Sequence, residues 1–321
     1  MNHRTSFPHR MVAGAVIAVL AGASVCFAAD EKPSDRSDIA RRLQTALAAG
    51  DLEIGAELAE QVSFAELVEY LDARYELLRI HCLRKDETKA LETLQTMLDA
   101  GYWDYRRLKQ DPDIAWISST EEFQGRVRAA WTKQYISMLE RDTRDAMQHP
   151  ARIMELLAIE PGTVVADVGA GSGYFTIPLA RAVGPQGKVI ATDIRQEMLD
   201  HIAARLHEEE LANVTLLKVE PTEPGLPAGT IDTVLMVDVI HYVKDRAGYA
   251  RKLKPALAPG GRVVVIDFRY DPEAKREFAP PPEQQVPRET LDREMAESGF
   301  VVAESYDFLP EQYFVVYRAA E

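Results

Sequence analysis

Three glycines spaced one residue apart, Gly169, Gly171 and Gly173, lie in the stretch VVADVGAGSGYFT, between an apolar run and a helical pattern. A chain that turns from strand to helix on glycines brings its backbone close to a ligand and offers amide groups to it. Two carboxylates flank this turn. Asp193 ends the next apolar run, 20 residues beyond Gly173, where a carboxylate can accept both hydroxyls of a ribose. Asp167, at the end of the first run, can hold a cationic amino group directly or through water. The dinucleotide fingerprint has two residues before its third glycine, a spacing this turn lacks, and a nicotinamide site has no need of the second carboxylate. Three readings stay open on these residues alone: a nicotinamide site, a methyl-donor site, or a turn that binds nothing.

The elements that must position them follow from the apolar pattern. TVVADVG, GKVIATDI, NVTLLKV, IDTVLMVDVI and GRVVVIDF read as buried strands, and GYFTIPLARAVG, QEMLDHIAARLHEEEL and RAGYARKLKPAL as helices between them. Nearly continuous apolar strands alternating with amphipathic helices mean a parallel sheet covered on both faces. The segment from Glu220 to Gly229 is too short for a helix with its turns, so one crossover is a loop. A helix at RETLDREMAESGF and strands at VVAESYDF and YFVVYRA follow, and the two strands are close enough to pair antiparallel. The expected fold is α/β, a Rossmann-like seven-stranded sheet with a mixed edge. Asp232, at the start of the fourth strand, falls at the opposite end of the sheet and is expected to be structural. The stretch FRYDPEAKREFAPPPEQQVPRE follows the fifth strand on the ligand side. Its three consecutive prolines favour an extended lid, from which Arg269 and Tyr270 could meet an acceptor or tie lid to sheet.

Ahead of the sheet the periodicity is helical. LEIGAELAEQV, FAELVEYLDARYELLRIHCLRK and ETKALETLQTMLDAGYWD repeat apolar residues at three and four. In the last, Ala90, Leu91, Leu94, Met97 and Leu98 form one stripe closed by Gly101. Short helices joined by tight turns bury such stripes only against one another, which gives an all-α domain of helical hairpins. The stretch ALETLQTMLDAGYWDYRRLKQDPDIAWISSTEEFQGRV resembles the degenerate end of a tetratricopeptide array. Trp103, Tyr105, Trp116 and Phe123 then read as core and cap aromatics, or as part of a concave face that holds a peptide or positions a substrate.

Residues 1–29 read separately. Arg4 and Arg10 precede MVAGAVIAVLAGASVCFA, a run of 18 residues ending in small ones, the three-part shape of a secretory leader cleaved after Ala28. An uncleaved membrane anchor is the alternative. The expected organisation is a signal peptide at 1–29, a tetratricopeptide-like helical domain at 30–140 and the sheet domain at 141–321, in an exported, periplasmic protein. Without the leader Cys82 is the sole cysteine, so no intramolecular disulfide forms and no cysteine-based zinc site exists. Beside His81 it could be imagined as a reactive pair, but adjacent helical residues point apart, and a buried structural thiol is the expectation. Seven scattered histidines suggest no metal cluster. A net charge of -14 argues against a nucleic-acid partner, and no stretch after the leader is apolar enough to span a bilayer.

VADVGAGSGYFT, ATDI, IDTVLMVDVIHYV and LKPALAPGGRVVVIDF, in this order and spacing, make the chain from about Arg141 to Arg318 resemble the class I S-adenosylmethionine-dependent methyltransferases. It is most similar to bacterial predicted methyltransferases with an exported N-terminus. The resemblance implies S-adenosylmethionine as cofactor and S-adenosylhomocysteine as product. Gly169, Ala170, Gly171 and Gly173 would frame the methionyl end with Asp167, Tyr174 would close over it, Asp193 would bind the ribose, Ile194 would pack near the adenine and Glu220 would reach the adenine amino group. Asp238 and His241 would face the transfer site. A histidine titrates near neutrality and suits a base for an alcohol or amine; the other reading of His241 is a polar cap on the fourth strand, and Asp238 could simply orient the donor. The expected function is methyl transfer to an unidentified small-molecule or protein acceptor cradled by the helical front end. A non-catalytic exported binding protein, with the array holding a protein partner and the sheet a donor, is the alternative. A nicotinamide-dependent oxidoreductase is the third.

Overall fold

The computed structural model describes residues 52–273, 276 and 278–320, with side chains from Glu66 onward. The leader at 1–29 and the start of the helical region lie outside the described residues. The chain divides into two compact units, the first ending at Gln134 and the second beginning at Tyr135.

The first unit holds α1 (Leu52–Leu83), α2 (Glu87–Asp99), α3 (Tyr105–Gln110), α4 (Ala115–Ser118) and most of α5 (Glu121–Leu139). LEIGAELAEQV and FAELVEYLDARYELLRIHCLRK, separate in the sequence reading, run on as the single helix α1. No glycine or proline stands at their junction to stop it. Asp86 caps α2 by accepting the Lys89 N–H at 3.2 Å. Gly101, at φ 87°, ends it, with its own N–H on the Leu98 carbonyl and that of Tyr102 on Met97. The stripe Ala90, Leu91, Leu94, Met97 and Leu98 is buried against Leu71, Tyr75 and Leu78 of α1. Cys82 is fully buried in this core and burial pushes its thiol up to about 11, which leaves it protonated and inert.

The second unit opens with α6 (Thr143–Gln148) and α7 (Pro150–Leu157). The sheet then runs β1 (Val164–Val168), α8 (Thr176–Val183), β2 (Lys188–Asp193), α9 (Gln196–Glu208), β3 (Val214–Lys218), β4 (Ile231–Val237), α10 (Arg246–Leu253), β5 (Leu257–Phe268), α11 (Arg288–Glu297), β6 (Phe300–Tyr306) and β7 (Gln312–Ala319). The strand order is β3-β2-β1-β4-β5-β7-β6. β1 to β5 pair parallel, and β7 enters antiparallel between β5 and β6. No helix separates β3 from β4. One face carries Ile153, Leu157, Leu179 and Val183 against Val165, Val264 and Val316. The other carries Tyr249, Leu253, Leu291 and Met295 against Ala166, Val234, Val263 and Val315. Apolar side chains on both faces of the central strands are what makes them read as continuous runs.

Asp232 accepts the Val164 N–H at 2.8 Å and ties the far ends of β1 and β4 together. The triple proline does not give an extended lid. The Pro281 carbonyl accepts the Gln284 N–H at 2.8 Å and the Pro282 carbonyl the Gln285 N–H at 3.2 Å, two overlapping turns. Proline fixes its own φ near the turn value and leaves its carbonyl free to accept, so residues after the prolines close the chain back. No described helix is long and apolar enough to cross a membrane.

Candidate functional site

The strand order reverses between β1 and β4, and in such sheets the crevice outside the carboxyl ends of the strands at that point receives ligands. β1, β2, β4 and β5 each carry an aspartate at or just beyond that edge: Asp167, Asp193, Asp238 and Asp267.

The glycine turn is fixed to the end of β2. The N–H groups of Gly169 and Ala170 donate to the Thr192 carbonyl at 2.8 and 3.0 Å, and Gly171 N–H donates to Asp193 Oδ2 at 3.0 Å. All three glycines have positive φ, at 70°, 56° and 82°. A Cβ on Gly169 would lie 2.5 Å from Val239 Cγ2, so a side chain there is excluded on conformation and space alike. Asp193 takes a second N–H, from Arg195, on Oδ1 at 2.9 Å. Its burial raises its pKa, and these backbone donors partly offset the rise. Asp167 is 4% exposed, accepts the Thr176 hydroxyl at 2.6 Å, and is pushed up to about 6 by burial. Ile194 stands beside Asp193 as an exposed apolar side chain. The N–H of Val219 donates to the Asp193 carbonyl at 3.0 Å, and Glu220 follows it, exposed.

On the β4 and β5 side, Asp238 sits at φ 57°, a left-handed backbone that a non-glycine residue holds only when its surroundings impose it. Those surroundings are explicit: its N–H donates to the Ile266 carbonyl at 2.9 Å, Gln148 Nε2 donates to Oδ2 at 2.7 Å, and Gln312 Nε2 donates to Oδ1. Burial, and next the neighbouring Asp267, push Asp238 up to about 6. His241 lies in a short 3-10 turn after β4. Its Nδ1 is 2.8 Å from Asp267 Oδ1 and 3.0 Å from Oδ2, with both side chains buried. A carboxylate only accepts, so Nδ1 carries the proton it shares with Asp267. Tyr242, next in sequence, is a largely exposed aromatic beside this pair. Tyr174 donates its hydroxyl to Asp145, and its ring lies 4.0 Å from the Arg144 guanidinium carbon.

Of the residues singled out in the sequence, the structure gathers Asp167, Gly169, Ala170, Gly171, Gly173, Asp193 and Ile194 at the carboxyl ends of β1 and β2. Asp238 and His241 lie at the adjoining strand ends, while Glu220 has no hydrogen bond to any of them. Sequence reasoning missed Asp267, Gln148, Gln312 and Arg144. A signal for the first was present: an aspartate ending each of four apolar runs.

Seven strands in this order, with a glycine turn and an acid at the end of the second strand, give the second unit a Rossmann-like methyltransferase fold. A family model described as a methyltransferase domain matches residues 166–263, from β1 into β5. Nocamycin O-methyltransferase of Saccharothrix syringae is 31% identical over 128 residues, 40% of this chain and 45% of that protein. Demethylmenaquinone methyltransferase of Lactococcus lactis is 31% identical over 120 residues, 37% of this chain and 48% of that protein. The chain therefore spans about half the length of the curated relatives it matches. The crystal structure of a SAM-dependent methyltransferase from Aquifex aeolicus aligns with a TM-score of 0.53 at 25% identity, covering 57% of this chain and 95% of that one.

S-adenosylmethionine suits the residues present. The three glycines hold the turn in a positive-φ conformation beside the ends of β1 and β2, and Asp193 and Asp167 offer acceptors for ribose hydroxyls and an ammonium. The hydroxyls of Ser172 and Thr192 and Oε1 of Gln312 are buried with no protein partner, so the edge retains unspent polar capacity.

Proposed function

We propose that this protein transfers a methyl group from S-adenosylmethionine to the oxygen or nitrogen of a small-molecule or protein acceptor, releasing S-adenosylhomocysteine. The observation that carries this reading is the pair of buried carboxylates, Asp167 and Asp193, on either side of a turn whose Gly169 admits no side chain. Asp193 accepts the ribose hydroxyls, Asp167 the ammonium, and Gly169 to Gly173 frame the methionyl end. Ile194 packs on the adenine, Glu220 reaches its amino group, and Tyr174 closes over the methionyl portion. The bound donor supplies a methyl group already activated by its sulfonium, so aligning the acceptor is the main demand on the protein. Asp238 orients the donor. His241 Nε2 takes the proton that the acceptor oxygen or nitrogen loses, while Asp267 holds the Nδ1 proton and fixes the ring. The leader at 1–29 directs the chain out of the cytosol, where the helical unit recognises the acceptor.

Thermal melting of the full chain against a panel of S-adenosylmethionine, S-adenosylhomocysteine, NAD and NADP tests the cofactor class. The two adenosyl ligands should raise the Tm and the nicotinamides should not; the reverse pattern would sink the reading. Once an acceptor is found, His241→Ala should abolish transfer while leaving S-adenosylhomocysteine binding intact.

A further inference from the structure

Among the described residues Arg144 is the sole arginine or lysine that is buried, at 7% exposure. It stands in α6, directly ahead of the sheet. Nε donates to Gln148 Oε1 at 2.7 Å and Nη1 to the Leu139 carbonyl at 2.7 Å. The third partner is the face of the Tyr174 ring, 4.0 Å from Cζ. All three are uncharged, no carboxylate pairs with the guanidinium among the described residues, and its Nη2 donors have no protein partner there. Burial pulls its pKa below the ordinary arginine value, and Asp238 and Asp167 are among the groups that hold it charged. A buried cation without a direct counter-ion is costly, and the cost is relieved by an anion that the fold itself does not supply.

The chemistry of that anion follows from the neighbours. Asp167 and Asp238 end β1 and β4, which are adjacent at the point of strand reversal. An amino-acid end carries its ammonium and its carboxylate on one carbon. A crevice that takes the ammonium at Asp167 therefore needs a cation beside it, and a guanidinium offers parallel N–H donors matched to a carboxylate. We propose that Arg144 binds the α-carboxylate of the methyl donor and its product, and so restricts the site to ligands with an intact amino-acid end. This rests on the methyltransferase reading. Gln148 completes the arrangement: it accepts from Arg144 and donates to Asp238 at 2.7 Å, so the residue that holds the carboxylate is tied to the end of β4.

The test is calorimetric titration of the full chain with S-adenosylmethionine and with decarboxylated S-adenosylmethionine, which keeps the adenosine, sulfonium and amine. Wild type should favour the intact ligand by roughly 10- to 100-fold, the range of a charge-assisted hydrogen-bonded pair. Arg144→Met should bring the two ligands to within about threefold by weakening the intact one and sparing the other. Arg144→Lys, which keeps the charge without the fork, should retain part of the preference and decides the matter if the methionine variant does not fold. A folded variant with the full wild-type preference, or one that loses both ligands equally, overturns the proposal. Wild type that binds neither ligand overturns the methyltransferase reading beneath it.

Discussion

Among the described residues of the helical unit no Asp, Glu, Lys or Arg is buried, whereas the sheet unit buries Asp167, Asp193, Asp267 and Arg144 together with His241. The helical unit settles its charges along its surface, as in Arg79 with Asp111 and Asp113, Arg107 with Asp72, and Arg126 with Glu122. Such pairs are solvated and each contributes little. In the sheet unit burial raises the pKa of Asp167 and of Asp193, and the one buried arginine among the described residues has no direct counter-ion. A fold that needed only stability would fill those positions with apolar side chains. The contrast marks a candidate ligand site more sharply than composition does, because among the described residues charge is withheld from water at one edge of one unit.

Substitutions can break this contrast from either side. The largest stability loss is expected at Gly169→Ala, where the positive φ and the 2.5 Å approach to Val239 act together; urea unfolding should show ~3 kcal/mol. Next comes pH. Asp167 and Asp238 are both raised from 3.8 to about 6 in the folded chain. Their contribution to stability is fully present below the unfolded value and is lost as pH rises through about 6. Between pH 5 and 7 the unfolding free energy of the ligand-free protein should therefore fall by about 3 kcal/mol from these two groups. Asp167→Asn should remove about half of that dependence, and an unchanged pH profile would mean that the carboxylate is not perturbed. In the helical unit, Gly101→Ala has the positive φ but nothing within 4 Å of the new Cβ, so it should cost only ~1 kcal/mol. Smallest is Lys89→Ala, which removes an exposed i,i+3 pair with Asp86 and should cost no more than ~0.5 kcal/mol by the same unfolding measurement.

The parts of this site that lie close in sequence were legible there. The glycine turn, Asp167 and Asp193 sit within one strand–helix–strand unit, so spacing alone placed them together. The mixed edge was legible too, because the short connection between β6 and β7 permits only an antiparallel return. What spacing could not reach were pairs made by the sheet order. His241 meets Asp267 across 26 residues because β4 and β5 are neighbours, and Gln148 meets Asp238 across 90. Arg144 and Gln148, four apart on a short polar helix, look like a solvated face until the fold turns that face onto the strand ends. The proline stretch misled for a local reason: proline carbonyls accept turn hydrogen bonds as readily as they stay extended.

The central claim is that the charged edge of the sheet is a binding site for the methyl donor and its product. Calorimetric titration of S-adenosylhomocysteine into the full chain at pH 7, with Asp193→Ala in parallel, tests it most directly. One site with a micromolar Kd is expected, weakened by at least ~100-fold in the variant, since two hydrogen bonds to a charged acceptor are lost at once. A folded wild-type protein that takes up no S-adenosylhomocysteine, or a variant that binds it as well as wild type does, would contradict the account.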